Sequence, residues 1–244
     1  MRTSREIIPP VLFAVDLDRC TYDTDAGAAK MTRLAVSEGL ATTDEITRAR
    51  AEVENSAGSF DMLGYLEANG RSALEIQCLA DTFGRNQEGD ELLYADTPQL
   101  FRAFKETDTP YFIATKGGLV WQTAKLQSAK LDTSDLYNCP HLITDKTRKG
   151  ELAEEYMIDD GTFRIVTNIG AHATQTVSGK DVKIIEDKIT GFMRSHGSFG
   201  GFHVMRSQKL LASQEGTLPP DVVQSRDLSV AIEYIYLQAE QRSK

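Results

Sequence analysis

The chain has 244 residues, 41% hydrophobic and 26% charged, a balance near the globular norm that allows a buried core and excludes disorder as the main state. Lys and Arg total 27 against 36 Asp and Glu, for a net charge of -9; cationic contacts to phosphates dominate nucleic-acid binding, so this excess of acid argues against DNA or RNA as a partner. The three cysteines, Cys20, Cys78 and Cys139, are odd in number and lack CxxC spacing, which fits neither a disulfide framework nor a zinc site.

The opening MRTSREIIPP lacks the long apolar stretch of a signal peptide, and no apolar run approaches the ~18 residues that span a bilayer, so the expectation is a cytoplasmic protein with no membrane partner. Val11 to Val15 is a short apolar run between a Pro pair and a turn-rich stretch, the pattern of a strand buried in a parallel sheet. Asp16 and Asp18 follow at once. In an open parallel sheet, ligands bind beyond the carboxyl ends of the strands, and a spacing of two puts both acids on the same side of an extended backbone. Carboxylates that close repel when both are ionised, which favours a bound cation or one raised pKa. Two solvated loop acids is the plainer alternative.

From about 25 to 95 the rhythm changes. No convincing strand occurs there, but AKMTRLAVSEGL, TTDEITRARAEVEN, FDMLGYLEAN and SALEIQCLADTF are helical windows, with a helix start at Thr43 to Ile46 and stops at Gly39, Gly70 and Gly84. This predicts a helical insertion after the first strand. Beyond it, apolar runs at 111–114, 141–144, 182–185 and 202–205 alternate with helical periods at 98–107, 119–130, 149–157, 188–195 and 226–241. Such alternation predicts βαβ units and an α/β fold on a parallel sheet.

Thr115-Lys116-Gly117-Gly118 ends the second strand before a helix, where a hydroxyl, an ammonium and backbone N–H groups form an anion-binding arrangement; an ordinary Gly-rich turn is the plainer reading. Lys146 and Lys149 stand in a basic stretch before a predicted helix, otherwise a solvated face. Glu186 and Asp187 end the run VKII, and an acidic pair at a strand's carboxyl end suits Mg²⁺, a hard cation that takes oxygen ligands. Asp159-Asp160 reads as a surface turn in a long segment at 158–180. His141, His172, His196 and His203 have no metal-ligand spacing and read as structural. Trp121, in period with Leu119 and Lys125, reads as packing, as does Cys78, while Tyr22, Phe60, Tyr65 and Arg71 are positioned to face a substrate.

In order, hhhhDxD at Val11 to Asp18, hhhT at Phe112 to Thr115, a Lys before a helix, and hhhED at Val182 to Asp187 resemble the motifs of the haloacid dehalogenase-like (HAD) hydrolase superfamily. DLDRCTYDT is similar to the family's DLDxTLY form, and ATKGGLVWQTAKLQSAKL to its TxGxxxxQxxKLxxxxL continuation. The resemblance implies a Rossmann-like parallel sheet core from residues 1–23 and 96–244 with an inserted α-helical cap of the C1 type at 24–95. It implies a Mg²⁺-dependent phosphatase acting on a small phosphorylated molecule through an aspartyl phosphate, with a phosphomutase or a catalytically weak binding protein as alternatives. Asp16 would be the nucleophile and Asp18 the acid and base. Thr115, with Lys116 and Gly117, would bind the phosphoryl group, and Lys149 or Lys146 would neutralise its charge. Asp16, the Asp18 carbonyl, Asp187 and Glu186 would hold the metal. Cys20 stands where the family has Thr or Val, so the hydroxyl contact is lost or passes to Thr21.

Overall fold

β1 (Leu12–Asp16) is apolar because it lies mid-sheet, buried along its whole length. Val11, Phe13 and Val15 join one apolar cluster and Leu12 and Ala14 the other, so alternate residues serve opposite faces. The computed structural model describes residues 11–55, 60–85, 89–131, 141–144, 157–158, 162–166, 174–178, 181–193, 197–206 and 216–244. In it a six-stranded sheet runs β3 (His141–Thr144), β2 (Tyr111–Lys116), β1, β7 (Val182–Glu186), β8 (Gly200–Val204), β9 (Val222–Ser225), with every neighbouring pair parallel. The fold class is the expected α/β parallel sheet.

Between β1 and β2 lie α1 (Thr24–Ser37), α2 (Thr43–Asn55), α3 (Met62–Ala68), α4 (Ala73–Arg85) and α5 (Thr97–Glu106). Their starts are built from side chains that satisfy the open N–H groups of a first turn. Thr42 and Glu45 form a reciprocal capping box ahead of α2, Ser72 and Glu75 repeat it ahead of α4, and Asp61 accepts from Leu63 and Gly64 at the start of α3. Gly39 (φ 68°) and Gly70 (φ 83°) adopt the left-handed turn that follows a helix, as the sequence predicts. Gly84 stands one residue before the end of α4. It lies inside α4, where a Cβ would stand 2.9 Å from Gln127 Oε1, so its bareness lets α4 approach α6 (Leu119–Ser128). Phe83 meets Trp121 across that contact, and Met31, Leu63 and Phe83 share one cluster with Phe13.

One prediction fails in the later half, and one segment holds strands for which the sequence predicted no element. The helical period at 188–195 is a 3-10 turn, Ile189–Phe192. The long segment at 158–180 contributes β5 (Thr162–Val166) and β6 (Thr174–Ser178), which form an antiparallel three-stranded sheet with β4 (Met157–Ile158). The predicted helix at 149–157, Asp159-Asp160, His172 and His196 lie outside the described residues apart from Met157 in β4. The C-terminal helix α7 (Ser229–Ser243) closes the fold beside α5, with Tyr236 donating to Glu106. Among the described residues no helix is long and apolar enough to cross a membrane.

Candidate active site

The sheet order turns back on itself at β1: the chain moves from β1 outward through β2 and β3, then returns to the other side of β1 with β7, β8 and β9. A crevice opens at such a reversal, at the carboxyl ends of the strands. Asp16 ends β1 there, and Glu186 ends β7 with Asp187 just beyond. All three are buried, with relative exposures of 3%, 1% and 4%, and one carboxylate oxygen from each lies within 4.8 Å of the others. Backbone amides of Asp187 and Lys188 donate to Glu186 Oε1 at 3.2 Å each, and His203 Nε2 contacts the Asp187 carbonyl at 3.0 Å. Three buried carboxylates so close repel one another, and an all-oxygen donor set with that charge fits Mg²⁺.

The loop after β1 is wound tightly. Thr21 and Tyr22 N–H groups both donate to the Leu17 carbonyl, and Arg19 takes the left-handed conformation at φ 59°. Thr21 Oγ1 donates to the Asp16 carbonyl at 3.0 Å and lies 3.3 Å from that of Leu17, so a hydroxyl one residue beyond Cys20 holds the end of β1. Cys20 is fully buried; burial pushes its thiol pKa well up, and the charges of Asp16, Glu186 and Asp187 push it further. Arg206 clamps the outside of the loop. Its Nη2 and Nε donate to the Cys20 carbonyl at 2.8 and 3.2 Å, and it grips Asp96 with two bonds of 2.7 and 2.8 Å. Asp96 in turn accepts from the Leu228 N–H, which ties the loop to the start of α7.

Asp18 projects toward α6. Lys125 Nζ lies 2.6 and 2.9 Å from its two carboxylate oxygens, Thr24 Oγ1 donates to Oδ1 at 2.8 Å, and Gln122 Nε2 donates to Oδ2 at 3.1 Å. Burial pushes the Asp18 carboxyl pKa up, but the Lys125 charge and the bonds from Lys125, Thr24 and Gln122 outweigh it, so the group lies below its ordinary value and stays ionised. Gln122 also donates to the Lys116 carbonyl at 2.7 Å and accepts from Thr115 Oγ1 at 3.0 Å, partners that fix which end of its amide is which.

The structure therefore brings Asp16, Glu186 and Asp187 together and sets Asp18 beside them in sequence but bonded to α6. Thr115 is fully buried at the end of β2, and its one hydroxyl proton goes to Gln122. Gly117 is at φ 147°, and a Cβ there would meet Gln122 Nε2 at 2.5 Å; its N–H donates to the Thr144 carbonyl. At Gly118 a Cβ would meet the Asp61 carboxylate at 2.2 Å, so α3 closes over the start of α6. Lys146 and Lys149 lie outside the described residues. Tyr22 does not face a substrate: it is fully buried, its hydroxyl 3.2 Å from Ser128 Oγ. Phe60 and Tyr65 pair with ring centroids 5.8 Å apart. Lys125 and Gln122 are the site residues that sequence reasoning passed over. Their signal was there: polar residues three apart on a helix face whose other members, Trp121, Ala124 and Leu126, are apolar.

No protein-family model matches the chain, and no curated protein matches it. Solved structures do. A protein assigned as a haloacid dehalogenase-like hydrolase from Burkholderia xenovorans superposes with a TM-score of 0.60 at 14% identity, over 93% of this chain and 99% of that one. The chain has the haloacid dehalogenase-like fold. Other HAD-like structures overlay over similar lengths: the assigned HAD hydrolase YfnB from Bacillus subtilis, described bound to magnesium (TM-score 0.52, 13% identity, 93% and 99% covered), and a protein assigned as a β-phosphoglucomutase from Thermotoga maritima (0.50, 14%, 95% and 99%). In the HAD-like sheet of this chain, the acidic cluster lies at the carboxyl ends of β1 and β7, beside the point where the strand order reverses.

Proposed function

We propose that this protein is a Mg²⁺-dependent phosphatase that hydrolyses a small phosphorylated molecule through an aspartyl phosphate on Asp16. The observation that carries the reading is the trio of buried carboxylates at the crevice, Asp16, Glu186 and Asp187, with a further acid, Asp18, two residues beyond the first. Asp16, Asp187 and Glu186, with the Asp18 carbonyl, would hold Mg²⁺. When bound, the ion supplies the charge screening that lets a carboxylate approach an anionic phosphate.

Asp16 attacks phosphorus while the ester oxygen leaves with a proton, for which Asp18 must arrive protonated. In the second half Asp18 takes a proton from the water that frees the phosphate, the task its ionised form suits. The phosphoryl oxygens would be met by Thr115, Lys116 and Gly117 and by Lys149 or Lys146, and a bond from Thr115 Oγ1 to phosphate would replace its bond to Gln122. The helices of residues 24–95 would act as a cap, with Asp61 of the α3 N-terminus over the entrance to α6. A second reading, a ligand-binding protein with weak turnover, is favoured by the full set of donors that ties Asp18 to α6 and to Thr24 of α1.

The test is release of inorganic phosphate from a panel of phosphorylated metabolites and one aryl phosphate, with and without Mg²⁺, for wild type and Asp16→Asn. Mg²⁺-dependent release abolished by Asp16→Asn supports the phosphatase. Binding of panel members without release supports the second reading.

A further inference from the structure

Asp18 has two kinds of neighbour. Lys125 stands behind it in the buried layer, its side chain 3% exposed against 27% for Asp18, and its ammonium sits 4.9 Å from the centre of the Trp121 ring. A cation held between a carboxylate and an aromatic face has little freedom to move. Gln122 makes the longest of the contacts to Asp18, 3.1 Å, and is neutral, whereas Lys125 reaches both oxygens at 2.6 and 2.9 Å. A carboxylate offers about four lone-pair sites, and Thr24, Lys125 and Gln122 between them make four contacts here, so a reacting water must displace one donor. The weak neutral bond yields before the charge-assisted pair. Oδ2 is then the oxygen that turns to the water, with Lys125 still fixing the plane of the group.

Resting on the phosphatase reading, we propose that Lys125 is a positioning residue for Asp18, aiming its carboxylate at the water that hydrolyses the phosphoryl group on Asp16. In that step the water oxygen bonds to phosphorus, its proton passes to Asp18 Oδ2, and the bond from phosphorus to the Asp16 oxygen breaks. Inorganic phosphate leaves and the Asp16 carboxylate is restored. Lys125 touches neither phosphate nor water; with a substrate whose leaving group needs no proton, its effect falls on the step that needs Asp18 as base.

Acetyl phosphate separates this step from the first, because acetate leaves without a proton. With Mg²⁺ and acetyl phosphate, wild type is expected to release phosphate while its intact mass stays unmodified. Lys125→Met slows release by about 10²-fold, the lower end of what a positioned base contributes, and accumulates a protein one phosphoryl group heavier that hydroxylamine strips. Lys125→Arg keeps the charge at a different point, so it accumulates the same species with a smaller slowing; it is the variant to read if Lys125→Met does not fold. Slowing without accumulation, or hydrolysis at the wild-type rate, overturns the positioning role while leaving the phosphatase standing. A wild type that neither releases phosphate nor carries label overturns the phosphatase reading and this role with it.

Discussion

Gly191→Ala tests the acidic cluster without touching a carboxylate. Gly191 lies in the turn after β7, outside the left-handed region, so an alanine meets no backbone strain. Its Cβ would stand 2.3 Å from Glu186 Cγ, 2.5 Å from Cδ and 2.4 Å from Oε2. Ordinary carbon contacts begin near 3.5 Å, so the buried Glu186 must retreat by roughly 1 Å. Overpacking of this kind costs about 1–3 kcal/mol, less about 0.4–1 kcal/mol gained by restricting the unfolded chain, for a net loss of up to about 2.6 kcal/mol. At about 2–4 °C per kcal/mol for a chain of this size, the melting temperature falls by up to about 10 °C. The metal response is the sharper signal. Mg²⁺ demands near-ideal oxygen geometry, so displacing Glu186 weakens binding, and each tenfold loss removes about 1.4 kcal/mol of the stabilisation that saturating Mg²⁺ gives. Thermal unfolding with and without Mg²⁺ reads both. Gly39→Ala, at φ 68° with open space around it, is the control: it loses stability through strain but keeps the Mg²⁺ increment. A Gly191→Ala protein with the wild-type melting temperature and the wild-type Mg²⁺ increment would refute the reasoning.

Arg206→Met leaves Asp96 and the Cys20 carbonyl without their clamp; with side chains 11% and 19% exposed, the pair is buried enough for a loss of about 2–4 kcal/mol in urea unfolding, and a change under about 0.5 kcal/mol contradicts it. Iodoacetamide is expected to label the exposed Cys78 in the native protein and leave the buried Cys20 unmodified until denaturant is added, read by peptide mass mapping; native labelling of Cys20 refutes the raised thiol pKa. Because the folded pKa of Asp18 lies below its ordinary value of 3.8, its contribution to stability is present above that value and is lost as pH falls through the folded value. In Lys125→Met only the bonds from Thr24 and Gln122 still oppose burial, so the Asp18 carboxyl pKa rises and its acid-side loss shrinks; equal acid slopes for the two proteins in denaturant titrations contradict the assignment.

The strands nearest the site were legible because a central parallel strand must be apolar on both faces, as β1, β2 and β7 are. The edge strand β9 escaped notice for the opposite reason: only Val222 is buried, so no apolar run marks it. β5 alternates polar and apolar residues in Thr162-Phe163-Arg164-Ile165, a two-residue period that the length of the segment disguised, while β6 has Val177 as its one apolar residue and carries no such signal. The acids Asp16, Glu186 and Asp187 were readable from their places at strand ends. Lys125 was visible as a polar residue on an apolar helix face, but its partner was not, because the contact with Asp18 depends on α6 packing that face against the loop after β1.

The central claim is that Asp16 carries the phosphoryl group. Wild type turning over a substrate found in the phosphate-release panel, quenched in acid and reduced with borohydride, converts an aspartyl phosphate to homoserine, which peptide mass spectrometry locates. The account predicts homoserine at position 16, dependent on Mg²⁺. Steady phosphate release with position 16 still aspartate, or with the label on another residue, would contradict it.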